Sequence, residues 1–130
     1  MRQRISTNAK SKAYAIEVLG WEHTETVQVY NPHSHRSRDL YNIIDLLSLT
    51  GGRLVGIQAC GGSDAKKHRE KLGDDPRTFL WLKAGLDLEL WVWRKVKLKR
   101  GGKKMIWAVK RQRASPPKKV GGEIEWVEIR

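Results

Sequence analysis

The stretch 44-IDLLSLTGGRLVGIQAC-60 decides how the chain folds, because it holds two β-strand patterns joined by a tight turn. Apolar residues dominate 40–50 and 53–60, and Gly51–Gly52 separates the two runs. Two glycines between apolar runs are typical of a β-hairpin, since both turn positions then tolerate a positive φ. The stretch therefore predicts two antiparallel strands over 40–50 and 53–60.

Two polar side chains interrupt this apolar hairpin: Asp45 in the first run and Gln58 in the second. Strand side chains alternate between faces, so pairing of the strands brings Asp45 and Gln58 together, with Cys60 on the same side. A carboxylate among apolar residues is costly unless it is paired or binds a metal, which favours a functional Asp45. A hydrogen bond within the sheet explains Gln58 nearly as well as metal ligation does. Cys60 is more typical of a small buried apolar residue than of a nucleophile.

The flanking sequence predicts further helices and strands around the hairpin. In chain order we expect a helix ending at Gly20, a strand over 23–30, a polar loop over 31–39, the hairpin, a helix over 61–72 with Ser63 as N-cap, a helix from Pro76 to Gly85, a strand over 86–96, a basic hairpin turning at Gly101–Gly102, a linker over 114–119 and a last strand. This order predicts an α+β or mixed α/β fold, with a small central sheet flanked by helices and an appended basic β-hairpin.

Positive charge is concentrated near the end of the chain. The 130 residues carry 26 Lys or Arg against 14 Asp or Glu, a formal net charge of +12. Residues 96–119 contain ten basic residues and no acidic one. Such a segment favours nucleic acid as a partner, although a solubilising tail or a segment that binds acidic ribosomal or membrane surfaces is the alternative. The tryptophans are core residues by spacing, with one or two near the basic hairpin as candidates for base stacking.

Several classes of function are disfavoured by the sequence. No apolar run approaches the length of a membrane span, and no secretory signal is visible. The single cysteine fits a reducing compartment, so we expect a cytoplasmic protein. The turn at 61-GGSDAKK-67 lacks the spacing of a nucleotide-binding P-loop. His33 and His35 lack partners for a closed zinc site and are expected to be solvated.

The order Glu17 on the first helix, Asp45 late in a strand and then IQAC after a short turn resembles the PD-(D/E)XK nuclease superfamily, and within it small phage-borne or archaeal-type Holliday junction resolvase-like proteins. The resemblance extends over residues 12–96 of a single domain, 1–130, with 97–130 as a basic extension. It implies a restriction-endonuclease-like core and Mg²⁺ or Mn²⁺ held by Glu17, Asp45 and Gln58 for attack of water on a DNA phosphodiester. It also implies a bacterial, archaeal or phage-infected host and, since junction cleavage needs two active sites, a homodimer.

The sequence departs from that pattern at two positions. Gln58 stands where the superfamily has Glu, and Cys60 stands where it has Lys, so metal affinity is expected to fall and the lysine role needs a substitute. The candidates for that role are Lys66, which we take as the catalytic choice, Lys67 and Arg38. Contacts to the DNA backbone are expected from Arg36, Arg38, Lys67, Lys97, Lys99, Arg100, Lys103 and Lys104.

Three hypotheses for the function remain open at this point. The first is a metal-dependent DNA endonuclease, the second a catalytically inactive nucleic-acid-binding protein on the same fold, and the third a basic structural protein. The metal-binding constellation distinguishes the first from the others, whereas the acid-free basic segment discriminates poorly. We rank the three hypotheses in this order, with the first modestly ahead of the second.

Overall fold

A computed structural model describes residues 6–117 and 122–129. The elements in chain order are α1 (Thr7–Glu17), β1 (His23–Thr26), β2 (Val29–Asn31), β3 (Arg36–Arg38), β4 (Leu46–Thr50), β5 (Arg53–Gly61), a short 3₁₀ helix (Gly62–Asp64), α2 (Ala65–Asp74), α3 (Pro76–Lys83), β6 (Asp87–Lys97), β7 (Met105–Ser115) and β8 (Glu125–Ile129).

A six-stranded mixed sheet organises the molecule, in the order β1-β4-β5-β6-β7-β8. Only β5 and β6 pair in parallel, and α2 and α3 form the crossover that a parallel pair requires. The strands β2 and β3 form a separate two-stranded hairpin. The predicted mixed fold with a central sheet and flanking helices is therefore confirmed. Because β7 and β8 add to the edge of β6, the segment after residue 96 continues the same sheet.

Helices cover both faces of the sheet and create two apolar clusters. On one face, Ala15 of α1 packs with Ile57 of β5 and Trp91 of β6. On the other face, Leu72 of α2 and Trp81 of α3 pack with Leu90 of β6. Alternate residues of β5 therefore point to different helices, and Gln58 and Cys60 face the side of α2 and α3.

Local sequence explains where the central elements begin and end. Gly51 and Gly52 have φ of 55° and 74°, which fits the two-residue turn between β4 and β5. The carboxylate of Asp75 accepts a hydrogen bond from Arg77 N at 2.9 Å, and Pro76 occupies the first turn of α3. These features fix the hairpin and the crossover that place Gln58 beside β6.

Two sequence predictions about strands before the hairpin are wrong. The expected strand over 23–30 is interrupted, because Val27 and Gln28 donate their backbone N–H groups to Asp45 O at 2.8 and 3.2 Å instead of continuing a ladder. The expected loop over 31–39 contains most of the β2–β3 hairpin.

The expected strand over 40–50 exists only from Leu46. Residues 41 and 42 have positive φ (Tyr41 52°, Asn42 62°), a conformation that no strand accommodates. Asp45 consequently precedes β4 instead of lying inside a strand.

Two predictions about boundaries near helices and linkers are also corrected. Ser63 lies inside the 3₁₀ helix, and Asp64 takes the N-cap position of α2, without a side-chain hydrogen bond to the helix. The expected linker over 114–119 overlaps the end of β7, and its residues 118–119 lie outside the described part of the chain. Among the described residues, no helix is long and apolar enough to cross a membrane.

A buried glycine in β5 supplies the first testable prediction. A Cβ at Gly56 would lie 2.9 Å from Ile44 Cδ1 and 3.1 Å from Trp81 Cζ2, in the apolar cluster between the sheet and the helices α2 and α3. Gly56→Ala is expected to lower the free energy of unfolding by about 1–3 kcal/mol, because the core is overpacked there. Urea denaturation measures the change. Gly61→Ala in the same strand is the matched control, since its Cβ meets no atom within 4 Å. Equal stability of the two variants would contradict the prediction.

Candidate functional site

The backbone of Asp45 lies at the meeting point of three chain segments. Asp45 N donates to Ile57 O at 2.9 Å, which places the residue opposite Gln58 just before the β4–β5 ladder begins. Its carbonyl accepts from Val27 and Gln28, as described above. Asp45 is only 2% exposed. The local backbone therefore holds its side chain inside the protein, on the side of α2.

The carboxylate of Asp45 accepts three hydrogen bonds. Gln58 Nε2 and Ala59 N donate to Oδ2 at 2.9 and 3.0 Å, and Gln28 Nε2 donates to Oδ1 at 3.1 Å. The β4–β5 ladder begins only at Leu46 and Ile57, so Ala59 N has no backbone partner on β4. It donates to the side chain of Asp45 instead. The prediction that the hairpin brings Asp45 and Gln58 together is confirmed.

A second carboxylate, Asp39, joins the site and was not predicted from the sequence. Gln28 Nε2 donates to its Oδ1 at 2.7 Å, and Gln58 Nε2 lies 3.3 Å from its Oδ2. Lys71 Nζ of α2 lies 3.4 Å from the same Oδ2. The two amides therefore bridge Asp39 and Asp45, and Lys71 is the cation at the site.

The pKa values of the two carboxyls move in opposite directions. Burial, followed by the hydrogen bond to Asp39, raises the pKa of Asp45 to about 8. Burial also acts to raise the pKa of Asp39, but its hydrogen bonds to Asp45 and to the two glutamines hold that pKa below its usual value. The pair therefore holds one proton at neutral pH, and that proton belongs mainly to Asp45.

Only the nitrogen end of the Gln58 amide is hydrogen-bonded. Its nitrogen lies between Asp45 Oδ2 and Asp39 Oδ2, whereas its oxygen, Oε1, is buried without a hydrogen-bond partner. A buried polar atom without a partner is costly in a folded protein. Within the described residues, no group of three or more His, Cys, Asp or Glu side chains is placed to hold a metal. The oxygen donors available for a cation are thus two carboxylates and one amide oxygen.

The structure does not bring Glu17 to this cluster. Glu17 is the exposed last residue of α1. The segment that follows α1 packs against the β4–β5 turn, where Gly20 and Gly52 line the same depression. Asp45 lies at the other end of β4. The opposite end of α1 approaches the site instead, since Asn8 Nδ2 donates to Gln28 Oε1 at 3.1 Å.

Lys71 takes the place that the sequence assigned to Lys66, Lys67 or Arg38. Lys66 and Lys67 are exposed in the first turn of α2, and no ion pair joins either to a described carboxylate. Lys66 and Lys71 differ by five positions, about 140° around a helix, so they cannot share a face. Arg38 is exposed on β3. Lys67 and Lys71 are four residues apart, a spacing that puts the two lysines on one face of α2, and this is the signal in the sequence that could have identified Lys71.

Two further polar residues lie beside the cluster on α2 and β5. Cys60 is buried, and burial raises the pKa of its thiol to about 11, so it is not a thiolate at neutral pH. His68 Nδ1 is buried without a hydrogen-bond partner, and burial lowers the pKa of the imidazole. At neutral pH the charged groups of the site are therefore Asp39 and Lys71, since Asp45 holds the shared proton and Cys60 and His68 are neutral.

The basic hairpin forms an arm that extends beyond the central sheet. The far ends of β6 and β7, together with the turn at 98–104, are exposed. The arm carries the predicted DNA-contacting residues Lys97, Lys99, Arg100, Lys103 and Lys104. Arg36 is exposed in the separate β2–β3 hairpin, like its neighbour Arg38. None of these cations has an ion-pair partner among residues 6–117 and 122–129.

Comparisons with known proteins give no match of any kind. No protein-family model matches the chain, and neither a curated protein nor a solved structure matches it. The functional interpretation therefore depends on the geometry of this chain's own residues.

The proton shared by the carboxyls predicts how stability depends on pH. The pKa of Asp45 is about 8 in the fold and near 3.8 in the unfolded chain, so between these values the folded protein binds more protons. Stability is therefore full below pH 4 as far as this group is concerned, and it falls by on the order of 1 kcal/mol per pH unit at most as pH rises toward 8. Asp45→Asn is expected to flatten that decline. Urea denaturation at pH 5, 6.5 and 8 measures it.

The control for this experiment is Asp87→Asn, which removes a partly exposed carboxylate paired with Arg53 at 2.8 Å. That variant is expected to keep the pH dependence of the wild type. A decline of the same slope in the Asp45→Asn protein would show that Asp45 is already ionised in the fold.

Proposed function

We propose that the chain is a divalent-metal-dependent DNA endonuclease with a restriction-endonuclease-like core, and that Asp39, Asp45 and Gln58 hold its metal ion. The observation that carries the proposal is the convergence of both carboxylates on one atom, Gln58 Nε2, at 2.9 and 3.3 Å. A positively polarised amide nitrogen between two carboxylates occupies the kind of position that a cation favours.

The donor set fits Mg²⁺ or Mn²⁺. Both ions prefer hard oxygen ligands and keep several coordination positions for water or substrate. When a cation is bound, a half-turn of the Gln58 amide would direct the unpartnered Oε1 toward that cation, which would be the partner that this buried oxygen lacks. When bound, such an ion polarises a phosphodiester and lowers the pKa of a water molecule. Asp39 replaces Glu17 in the ligand set implied by the resemblance.

Lys71 has a separate role in this proposal. Its ammonium group lies 3.4 Å from Asp39 Oδ2, and about two-fifths of the side chain is exposed (39%). A cation that is anchored at the site yet open to solvent can contact a phosphate oxygen of a bound nucleic acid. Lys71 therefore supplies the charge that Cys60 cannot supply at the lysine position of the motif.

The order of elements supports the same assignment. A helix, three successive antiparallel strands (β1, β4 and β5), a helical crossover and a parallel strand (β6) agree with the core expected for the superfamily. Asp45 directly precedes β4, and Gln58 lies on the adjacent strand β5. Fold alone does not determine function, so the proposal depends on the carboxylates and on the positive charge.

DNA is the substrate in this proposal because of the distribution of charge. The net charge of +12 and the exposed, unpaired cations of the arm create a field that attracts a polyanion. A homodimer, as junction cleavage requires, is part of the same proposal.

The second candidate function is a nucleic-acid-binding protein without catalysis. The observation in its favour is that protein donors already satisfy both oxygens of Asp45. In that case Gln58 serves to hold Asp45, and the arm alone accounts for the function.

The test of the proposed function is DNA cleavage by Asp45→Asn and Asp39→Asn proteins. Wild type is incubated with Mg²⁺ or Mn²⁺ and with duplex, single-stranded, flap and four-way DNA. Each substitution is expected to reduce cleavage by about a hundredfold or more, because a charged ligand is replaced by a neutral one. DNA binding in EDTA is expected to remain, since neither carboxylate contacts the arm. Asp87→Asn is the control with unchanged activity.

Two outcomes would overturn the proposal. Undiminished cleavage by the Asp45→Asn protein would remove Asp45 from the active site. Absence of cleavage by wild type on every substrate, together with DNA binding, would establish the non-catalytic alternative.

The arm supplies a separate prediction about binding. Replacing Lys97, Lys99, Arg100, Lys103 and Lys104 by Gln is expected to weaken DNA binding. The slope of log K against log salt should fall by up to about 4.5, since each of the five cations that neutralises a phosphate contributes about 0.9. Fluorescence anisotropy over a range of salt concentrations measures the slope. Lys83→Gln is the control, because Lys83 ends α3 near the opposite end of β6. An unchanged slope in the fivefold variant would show that the arm does not contact DNA.

A further inference from the structure

β6 extends beyond the end of β5, which leaves a step at the edge of the sheet, outside the proposed active site. β5 ends at Gly61, opposite Trp93, while β6 continues into the arm with its edge uncovered. An open depression of about 640 Å³ occupies this step. Its lining residues are Gly61, Gly62, Ser63, Trp93, Arg94, Lys95 and Trp107. Trp93, Lys95 and Trp107 face the side of α1, and Arg94 faces the side of Gly62 and α2, so the depression extends around the uncovered edge of β6.

Trp107 is the most exposed tryptophan among residues 6–117 and 122–129. It is 47% exposed, whereas Trp91 and Trp93 on the neighbouring strand are 0% and 6% exposed. Lys10 Nζ of α1 lies 3.2 Å from the centroid of the Trp107 ring, and Lys95 Nζ lies 5.3 Å from it. The ammonium group of Lys10 holds the ring in place by a cation–π contact. A large aromatic ring is thus fixed at the surface beside two positive charges.

Arg94 is placed in the depression by a glycine. A Cβ at Gly62 would lie 2.7 Å from both Cγ and Nε of Arg94, so the arginine side chain lies directly over the glycine backbone. Only a residue without a side chain leaves room for this arrangement. Neither Arg94 nor Lys95 forms an ion pair with a carboxylate in the described part of the chain. Both cations are therefore available to an anionic ligand.

From this arrangement we infer that the depression binds single-stranded nucleic acid, with one unpaired base stacked on Trp107 and the adjacent phosphates held by Arg94 and Lys95. Every base offers a π-face to an aromatic ring, and stacking on protein aromatics is a general mode of single-strand binding. Bases within a duplex are stacked on their neighbours, so the ring selects an unpaired base. The inference rests on the nucleic-acid part of the proposed function and is independent of cleavage.

The experiment compares two oligomers of the same length and charge in EDTA, one of twelve thymidines and one of twelve abasic units. Both carry the same phosphates, so their difference in affinity measures stacking. Wild type is expected to bind the thymidine oligomer roughly tenfold more tightly than the abasic one. In the Trp107→Ala protein, affinity for the thymidine oligomer is expected to fall to that for the abasic oligomer. Trp107→Phe is expected to keep part of the preference, because a smaller ring still stacks.

Gly62→Ala tests the phosphate contacts separately. The added methyl displaces Arg94, so affinity for both oligomers is expected to fall by a similar factor while their ratio remains. Gly73→Ala is the matched control, since its Cβ meets nothing within 4 Å and lies on α2. Unchanged affinity of the Gly62→Ala protein for both oligomers would remove Arg94 from the site.

Equal affinity of wild type for the two oligomers, or an undiminished preference in the Trp107→Ala protein, would overturn the inference. Because no metal is present, these outcomes do not depend on catalysis. An inactive wild type that still prefers thymidine would contradict the nuclease proposal alone.

Discussion

The carboxylate of Asp45 is the constraint on which the arrangement of the site depends. Through its backbone and side chain, Asp45 joins the bend after β1, the start of β4 and the middle of β5. Gln28 extends this connection to α1 through Asn8. The acid is kept at 2% exposure next to a second carboxylate, Asp39, although apolar packing would be less costly there. The pair therefore costs stability relative to apolar residues of similar volume.

The fold was predictable where the pattern is local. Gly51–Gly52 between two apolar runs identified the hairpin, and the period-two alternation of 86–96 identified β6. The same reasoning failed at 40–45, because apolar Ile43 and Ile44 follow two residues with positive φ and are buried without being in a strand. An apolar run indicates burial, and burial alone does not distinguish a strand from a packed loop.

The candidate site was predictable only in the part that strand pairing determines. Asp45 and Gln58 are thirteen residues apart, and the hairpin register brings them together. Asp39 and Lys71 are 32 residues apart in a loop and a helix, and no sequence period relates those elements. Glu17 was assigned to the site because the sequence does not reveal which end of α1 approaches β4.

The register of β5, β6 and β7 fixes how far the carboxylates lie from Trp107 along the direction of the strands. Gln58 lies beside Leu90 on β6, and Trp107 lies beside Lys95 on the neighbouring strand. Five residues of strand span about 17 Å, and the seven residues from Leu90 to Lys97 span about 23 Å. Gln58 faces α2, whereas Trp107 faces α1, so the carboxylates and the tryptophan lie on opposite faces of the sheet at these two positions along β6. A nucleic-acid strand that contacted both would have to cross the uncovered edge of β6.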